Sequence, residues 1–234
     1  MPAEKSQELS FSAFLRMTET NVFLFYPNLI GYARILLALA SFAVMTTCPV
    51  AASTFYFLSA LLDAFDGYVA RLYNQGTRFG AMLDQLVDRC AFMALLMVLC
   101  HFYPRLIFFL QLVAILDIAS HWLHLHAADL TRAKTHKSSS NPILHYYYTS
   151  KPFLFFMCFG NEAFYGLLYF NVFFSGPSLL GITLVQILAV AFLPIALLKS
   201  VISGVHLVEA SQTVAAYDMQ QRGVKFGAKP SKNE

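Results

Sequence analysis

The chain has 234 residues, of which 58% are hydrophobic and 12% charged, and its formal net charge is +3. That charged share is about half the usual one for a soluble domain, so the composition indicates an integral membrane protein. The small net charge and the lack of a basic patch with interleaved aromatic residues argue against a nucleic-acid partner. The length suits one domain.

The chain begins with a segment, residues 1–20, that carries acidic and basic residues around a short apolar patch. A cleavable signal peptide needs an unbroken apolar core, which this segment lacks. We therefore expect residues 1–20 to form an interfacial or disordered extension. A membrane-embedded domain is expected over residues 21–210, followed by a cytosolic C-terminal tail over residues 211–234.

Apolar stretches near the length of about 20 residues needed to cross a bilayer recur along the rest of the chain. They are predicted at Leu29–Met45, Ala51–Ala70, Gly80–Tyr103, Leu106–His124, Pro152–Phe174 and Leu179–His206. No strand-like alternation or internal repeat is evident. The predicted fold is an all-α integral membrane protein with about six transmembrane helices. Pro194 should kink the last helix, because proline removes a backbone donor.

The orientation follows from the basic residues. With six spans, both termini and the loops after the second and fourth helices face the same side of the membrane. That side holds nearly all of the 16 lysine and arginine residues, and Arg105 is the clear exception. The positive-inside rule predicts that it is the cytoplasmic side.

Four of the chain's 13 acidic residues are aspartates grouped within an otherwise apolar stretch. A carboxylate near hydrocarbon costs about 3 kcal/mol even on lenient scales, so this group needs compensation. On helices, Asp63 and Asp66 share one face, and Asp84 and Asp88 share another. Two helices that each offer a pair of carboxylates to a common point predict a site for two divalent cations and phosphoryl chemistry.

The residues around the aspartates fit an anionic ligand. Gly67 directly follows the second aspartate, and Gly80 lies on the same helix stripe as the third. Both glycines remove a side chain where a second helix or a phosphate must approach the backbone. Arg71 lies within roughly 80° of the first aspartate around its helix, so it can contact an anion that the metals hold.

The complete pattern is Asp63-x2-Asp66-Gly67-x2-Ala70-Arg71-x8-Gly80-x3-Asp84-x3-Asp88. It resembles the signature of the CDP-alcohol phosphatidyltransferases at every fixed position. Four further segments are similar to members of that family that use inositol: Pro27–Arg34, Asn74–Gly80, Ser120–His126 and Ile195–Ser200. The resemblance runs from about Asn21 to Asp218, and it implies a CDP-alcohol phosphatidyltransferase-like fold in which residues 21–210 form the catalytic domain.

The resemblance implies that an inositol hydroxyl attacks the lipid-attached phosphorus of CDP-diacylglycerol and expels CMP. It makes Asp88 the catalytic base and Asp63, Asp66 and Asp84 the main metal ligands, with Asp88 as a further ligand. Two Mg²⁺ or Mn²⁺ ions are expected. The residues alone do not separate ligand from base, because each is an aspartate on a shared face.

Gly67, Arg71 and Thr77 are implied as contacts of CDP-diacylglycerol. A charge-assisted bond from Arg71 to the diphosphate is one interpretation, and an arginine at a helix end that reaches the membrane interface is the other. For Thr77 the alternatives are a bond to the nucleotide and a hydroxyl that caps the start of a helix.

Arg78, His121 and Asn141 are the candidates for the inositol pocket. Asp117 and His124 share a helix face with His121, so a zinc site is an alternative. A polar or packed helix end is a third interpretation of the histidines.

A second class of function also fits intramembrane acids, namely a transporter or channel that carries ions. It is disfavoured because such a protein does not need the glycine–alanine–arginine frame and usually shows a repeat with broken helices. Within the enzyme class, glycerol phosphate, serine, choline and ethanolamine are rival acceptors. The expected partners are CDP-diacylglycerol, myo-inositol and the lipid bilayer, with a homodimer left open. The expected location is the endoplasmic reticulum membrane, with the active site and termini cytosolic.

Overall fold

The structure is a computed structural model that describes residues 21–131, 147, 149–174, 177–179 and 181–223. Six long helices lie within these residues: α1 (Tyr26–Val44), α2 (Pro49–Leu72), α3 (Arg78–Phe102), α4 (Ile107–Thr131), α5 (Lys151–Phe173) and α6 (Leu184–Gln221). Two single 3₁₀ turns, Val22–Leu24 and Pro104–Leu106, precede α1 and α4. The predicted all-α fold with about six long helices is confirmed.

The starts of the helices follow from local sequence. Pro27, Pro49 and Pro152 lie in the first turns of α1, α2 and α5, where a missing backbone donor costs nothing. α6 begins with a capping box, in which Thr183 accepts a hydrogen bond from the Gln186 backbone N–H and the Gln186 side chain accepts one from the Thr183 N–H.

The last long helix differs in extent from the last predicted span. Ser178–Leu179 and Ile182–Thr183 form a small antiparallel hairpin, so strands are present where none was expected. Gly181 has a φ of 82°, a conformation that favours glycine and makes the turn. α6 therefore begins at Leu184, and it continues to Gln221, into the segment predicted as the tail.

Two sequence predictions stay open on the described chain. Pro194 lies inside α6, which continues on both sides of it, and the kink there stays a prediction. The predicted extension, residues 1–20, and residues 224–234 of the predicted tail lie outside the described residues.

The helices have the surface of a membrane protein. Within the part of the chain that the structure describes, four segments are long and apolar enough to cross a bilayer: Tyr26–Val44, Pro104–Thr131, Lys151–Phe173 and Leu184–Gln221. α2 and α3, the helices that carry the four aspartates, are not among these segments. Large apolar side chains are exposed on every helix, including Leu36, Phe57, Met97, Phe108, Phe155 and Val190. So much exposed apolar surface suits contact with lipid, and the chain is a multi-pass membrane protein.

The chain divides into two compact units, Met1–Ala94 and Leu95–Glu234, with the boundary inside α3. In the first unit α1 packs on α2 through small residues. The Ser41 hydroxyl donates to the Ala52 carbonyl at 2.8 Å, and the Ser59 hydroxyl donates to the Arg34 carbonyl at 3.1 Å. Such hydrogen bonds join helices where the surrounding lipid offers no partner.

The second unit packs α6 against α4 and α5. Its buried core contains Tyr147, Met157 and Ile202. Gly160 of α5 lets α6 approach, because a Cβ there would lie 2.7 Å from Cγ2 of Ile195. The Tyr147 hydroxyl accepts a hydrogen bond from Lys199 Nζ at 2.8 Å, so the charged end of this α6 residue has a polar partner.

Candidate active site

The loop between α2 and α3 is tied to the start of α1. The Tyr26 backbone N–H donates to Gln75 Oε1 at 2.9 Å, and the rings of Tyr26 and Tyr73 lie 4.9 Å apart. Phe23 and Phe79 make a second ring contact at 5.0 Å. These contacts fix where α2 ends and α3 begins, and so they position the aspartates that the two helices carry.

The four predicted aspartates converge on one side chain, the guanidinium of Arg34 from α1. Its Nη1 lies 2.7 Å from Asp66 and 2.6 Å from Asp84. Its Nη2 lies 2.7 Å from Asp63 and 2.6 Å from Asp88. Each terminal nitrogen therefore contacts one aspartate of α2 and one of α3.

The cluster is buried at Arg34 and Asp66 and open at the other three aspartates. The Arg34 side chain is 2% exposed and that of Asp66 is 11% exposed, whereas Asp63 and Asp84 are 42% and 44% exposed. The two more exposed carboxylates, one from each helix, can therefore meet a ligand that arrives from solvent.

The charges within the cluster do not balance. Arg34 and Arg89, whose Nη2 lies 3.5 Å from Asp88, supply two positive charges against four carboxylates. Carboxylates held this close to one another repel, so the excess negative charge favours a further cation. Carboxylate oxygens are the ligands that Mg²⁺ and Mn²⁺ prefer.

Three of the four carboxylates have the spacing of a metal site. Ligand oxygens of Asp63, Asp66 and Asp84 all lie within 4.8 Å of one another. Among the residues that the structure describes, this is the one group of three or more metal-ligating side chains at such spacing, and Asp88 is not in it. The residues present therefore fit a divalent cation, with oxygen donors from both helices.

The residues predicted to contact CDP-diacylglycerol lie next to this cluster in the chain. Arg71 is an exposed residue in the last turn of α2, and its Nη1 would lie 3.6 Å from a Cβ at Gly67. A phosphate beside the Gly67 backbone would therefore lie within reach of the Arg71 guanidinium. The Thr77 hydroxyl accepts a hydrogen bond from the Gly80 N–H at 3.0 Å. It thus caps the start of α3, and its own proton stays available to donate to a nucleotide.

The predicted inositol-pocket residues fall in different parts of the chain. Arg78 is the exposed first residue of α3, in the first unit. His121 belongs to α4 in the second unit, where its Nδ1 lies 2.7 Å from the Asp117 carbonyl oxygen. Asn141 lies outside the described residues.

The histidines of α4 pack against α6. The rings of His124 and His206 stack with centroids 4.1 Å apart, and His206 is buried. Over the described part of the chain, no group that includes these histidines has the spacing of a metal site. The histidines therefore pack on a neighbouring helix, but within α4 and not at its end as predicted, since α4 continues to Thr131. The zinc alternative gains no support.

Sequence reasoning missed the central position of Arg34, although a signal was present. Arg34 is the single charged residue in the predicted span Leu29–Met45. An ionisable residue inside a membrane helix indicates a functional site with a charged partner. Its four aspartate partners lie 29 to 54 residues further along the chain, on α2 and α3.

Comparison with known proteins places the chain in a family. Residues 24–210 match the model of the CDP-alcohol phosphatidyltransferases. Relatives named CDP-diacylglycerol–inositol 3-phosphatidyltransferase include those of Mus musculus and Homo sapiens, which are 54% and 52% identical to it over 212 residues. These alignments cover 89% of this chain and 100% of each relative. The relative of that name from Drosophila melanogaster is 48% identical over 86% of this chain and 90% of its own length.

No solved structure matches the chain. The family assignment rests on the sequence match, which covers α1 to α5 and most of α6. The two aspartate pairs of the motif also meet at one point. The chain belongs to the CDP-alcohol phosphatidyltransferase family.

Proposed function

We propose that this protein synthesises phosphatidylinositol by transferring the phosphatidyl group from CDP-diacylglycerol to myo-inositol, with release of CMP. The observation that carries the proposal is the alignment of the mouse and human relatives over their entire length. Those relatives bear the name CDP-diacylglycerol–inositol 3-phosphatidyltransferase. The converging carboxylates described above supply the groups that such a phosphoryl transfer needs.

Asp63, Asp66 and Asp84 would hold the metal ions, with Asp88 as an additional ligand. Two Mg²⁺ or Mn²⁺ ions bound there would bind the diphosphate and stabilise the charge that develops on the leaving CMP. The exposed sides of Asp63 and Asp84 support this assignment, because the diphosphate of a membrane lipid reaches the site from the headgroup region.

Asp88 accepts the proton of the attacking inositol hydroxyl. A new bond forms between that hydroxyl oxygen and the lipid-attached phosphorus, and the bond from this phosphorus to the CMP oxygen breaks. A neutral hydroxyl is a poor nucleophile, so a carboxylate within reach lowers the barrier. The position of Asp88 outside the close three-carboxylate group supports this division of roles.

Gly67, Arg71 and Thr77 bind CDP-diacylglycerol in this proposal. Arg71 pairs with diphosphate oxygens beside the bare backbone of Gly67. The Thr77 hydroxyl, which accepts from the Gly80 N–H, donates its proton to the nucleotide. Arg78, His121 and Asn141 are assigned to the inositol pocket.

The enzyme is placed in the endoplasmic reticulum membrane with its active site and both termini facing the cytosol. The distribution of basic residues supports this orientation. A homodimer stays a prediction, and chemical cross-linking in the membrane would test it.

The proposal is tested by measuring which alcohol accepts the phosphatidyl group. Purified protein in lipid nanodiscs, given CDP-diacylglycerol and Mg²⁺ or Mn²⁺, should incorporate radiolabelled myo-inositol into lipid and release an equal amount of CMP. Glycerol phosphate and serine with the same donor, and choline or ethanolamine as CDP-alcohols with diacylglycerol, serve as rivals. Product from a rival but not from inositol would overturn the assignment.

A further inference from the structure

The contacts of Arg34 have a pattern that single ion pairs lack. Each terminal nitrogen of its guanidinium lies between one carboxylate of α2 and one of α3, at 2.6–2.7 Å in all four contacts. Lysine could not do this, because its single nitrogen has no fork of donors. Arg34 thus cross-links the two helices that carry the active-site motif.

Three of the carboxylates that Arg34 contacts are the three whose oxygens are close enough to share a metal ion, Asp63, Asp66 and Asp84. Arg34 Nε, in contrast, is buried and has no hydrogen-bond partner among the described residues. The terminal N–H groups of the guanidinium thus bond the aspartates while the Nε–H is left without an acceptor. This indicates that the carboxylates hold the guanidinium in place.

We propose that Arg34 is the internal counter-cation of the active site. It holds the two aspartate pairs together before metal binds, and an entering divalent ion takes over part of its carboxylate contacts. Arg34 and the metal then compete for the same oxygens, which makes Arg34 a positioning residue that also tunes metal affinity. The proposal rests on the metal site of the proposed function.

The charges of the cluster explain why Arg34 and a metal ion would compete for the carboxylates. Without Arg34, four carboxylates would face one another, and Arg89, which lies 3.5 Å from Asp88, is farther from them than Arg34 is. Removal of one partner from a buried ionic group is strongly destabilising, because it leaves charge uncompensated. The same loss makes the cluster more negative and frees its oxygens, so a divalent cation should bind more tightly.

The test uses the full-length protein in detergent without substrates, with Arg34→Met and Arg34→Lys compared with wild type. Arg105→Gln, a change at an exposed arginine in the turn before α4, is the control.

In EDTA, Arg34→Met should melt about 10 °C below wild type. Its Mn²⁺ half-saturation, read from the electron paramagnetic resonance signal of free Mn²⁺, should fall at least about tenfold. Mn²⁺ should therefore raise its melting temperature more than that of wild type. Arg34→Lys should be intermediate, and the control should match wild type.

A second substitution tests the charge coupling. Asp84→Asn should lower the melting temperature of wild type in EDTA but raise that of Arg34→Met, because it relieves repulsion once the guanidinium is gone. Effects of the same sign in both backgrounds would overturn the proposal, as would equal or weaker Mn²⁺ binding by Arg34→Met.

If Arg34→Met is obtained folded only in Mn²⁺, that dependence supports the proposal. If it does not fold even then, Arg34→Lys decides the matter, and a wild-type half-saturation in that variant would overturn it. None of these measurements uses substrate, so their failure is separate from a failure of the inositol assay.

Discussion

A Cβ atom placed on Gly80 of α3 would lie 2.8 Å from Oδ1 of Asn28 on α1. The Asn28 side chain has little freedom to move away, since it is 1% exposed and its Nδ2 donates to the Val22 carbonyl. The Gly80 position in the motif is therefore explained by the approach of α1 to α3. This approach brings the helix that carries Arg34 next to the aspartate helices.

Gly80→Ala should destabilise the protein by about 1–3 kcal/mol, as expected for an added methyl group in a packed place. Gly166→Ala is the matched control, since a Cβ there meets no atom within 4 Å inside helix α5. The control should be neutral or slightly stabilising, because alanine favours helices over glycine. Thermal unfolding in detergent measures both changes, and Asn28→Ala should recover part of the Gly80→Ala loss. Equal effects of the two glycine substitutions would contradict this explanation.

Thr77 allows its two roles to be separated. Thr77→Val removes the acceptor for the Gly80 N–H and should cost about 1 kcal/mol of stability, whereas Thr77→Ser keeps the hydroxyl and should cost less. If the hydroxyl also binds the nucleotide, Thr77→Val alone should raise the KM for CDP-diacylglycerol at a temperature where both variants are folded. A raised KM in neither variant would leave the cap as the sole role.

Asp88→Asn should lower turnover by about 10²–10⁴-fold, the usual contribution of a general base, while CDP-diacylglycerol binding is partly kept. Asp63→Asn should instead weaken metal and nucleotide binding together, because Asp63 belongs to the close carboxylate group. Binding of the nucleotide lipid and initial rates are measured over a range of Mg²⁺ and Mn²⁺ concentrations. Recovery of Asp88→Asn to near the wild-type rate with added metal would identify Asp88 as a ligand and not the base.

The convergence of the aspartates was predictable because helical spacing is local. Residues three or four apart share a face whatever the rest of the chain does, so Asp63 with Asp66, and Asp84 with Asp88, were paired from sequence alone. The contribution of α1, which supplies Arg34 to the same cluster, was not predictable in this way. Arg34 meets them only because α1 packs beside α2, and spacing within one helix carries no information about that packing.

The course of α6 shows a different limit. Apolar residues occur in helices, turns and hairpins alike, so apolar composition alone predicts a span that begins at Leu179. Gly181 and the Thr183 cap shift the start to Leu184. At the other end, α6 continues past His206 to Gln221, because a helix can continue into water without a change in its backbone.

Membrane orientation can be tested with single cysteines on a background in which Cys48, Cys90, Cys100 and Cys158 are replaced by alanine. Gly76→Cys suits the cytosolic test, because the position is exposed and a Cβ there meets no atom within 4 Å. It should react with a membrane-impermeant maleimide from the cytosolic side of sealed microsomes. Arg105→Cys, at the exposed turn before α4, should react only after the membrane is opened. Protection of Gly76→Cys until the membrane is opened would reverse the proposed orientation.

The choice of inositol must come from hydrogen bonds, because an uncharged polyol offers no charge for recognition. A site built to bond hydroxyls loses affinity when one of its own polar partners is removed, by about 1–3 kcal/mol per lost bond. Arg78→Ala, His121→Ala and Asn141→Ala should therefore each raise the KM for inositol about 5- to 150-fold, with CDP-diacylglycerol affinity largely unchanged.

His121 needs a control for its packing on α6, where His124 stacks on His206. His124→Ala disturbs the same helix face, so it should lower stability without a selective effect on the inositol KM. Initial rates are measured with each substrate varied separately, alongside thermal unfolding of every variant. If Arg78→Ala, His121→Ala and Asn141→Ala all keep the wild-type inositol KM, the pocket is formed by other residues. A change confined to Arg78→Ala would place inositol recognition beside the first turn of α3, within reach of the capped loop that Thr77 and Gly80 form.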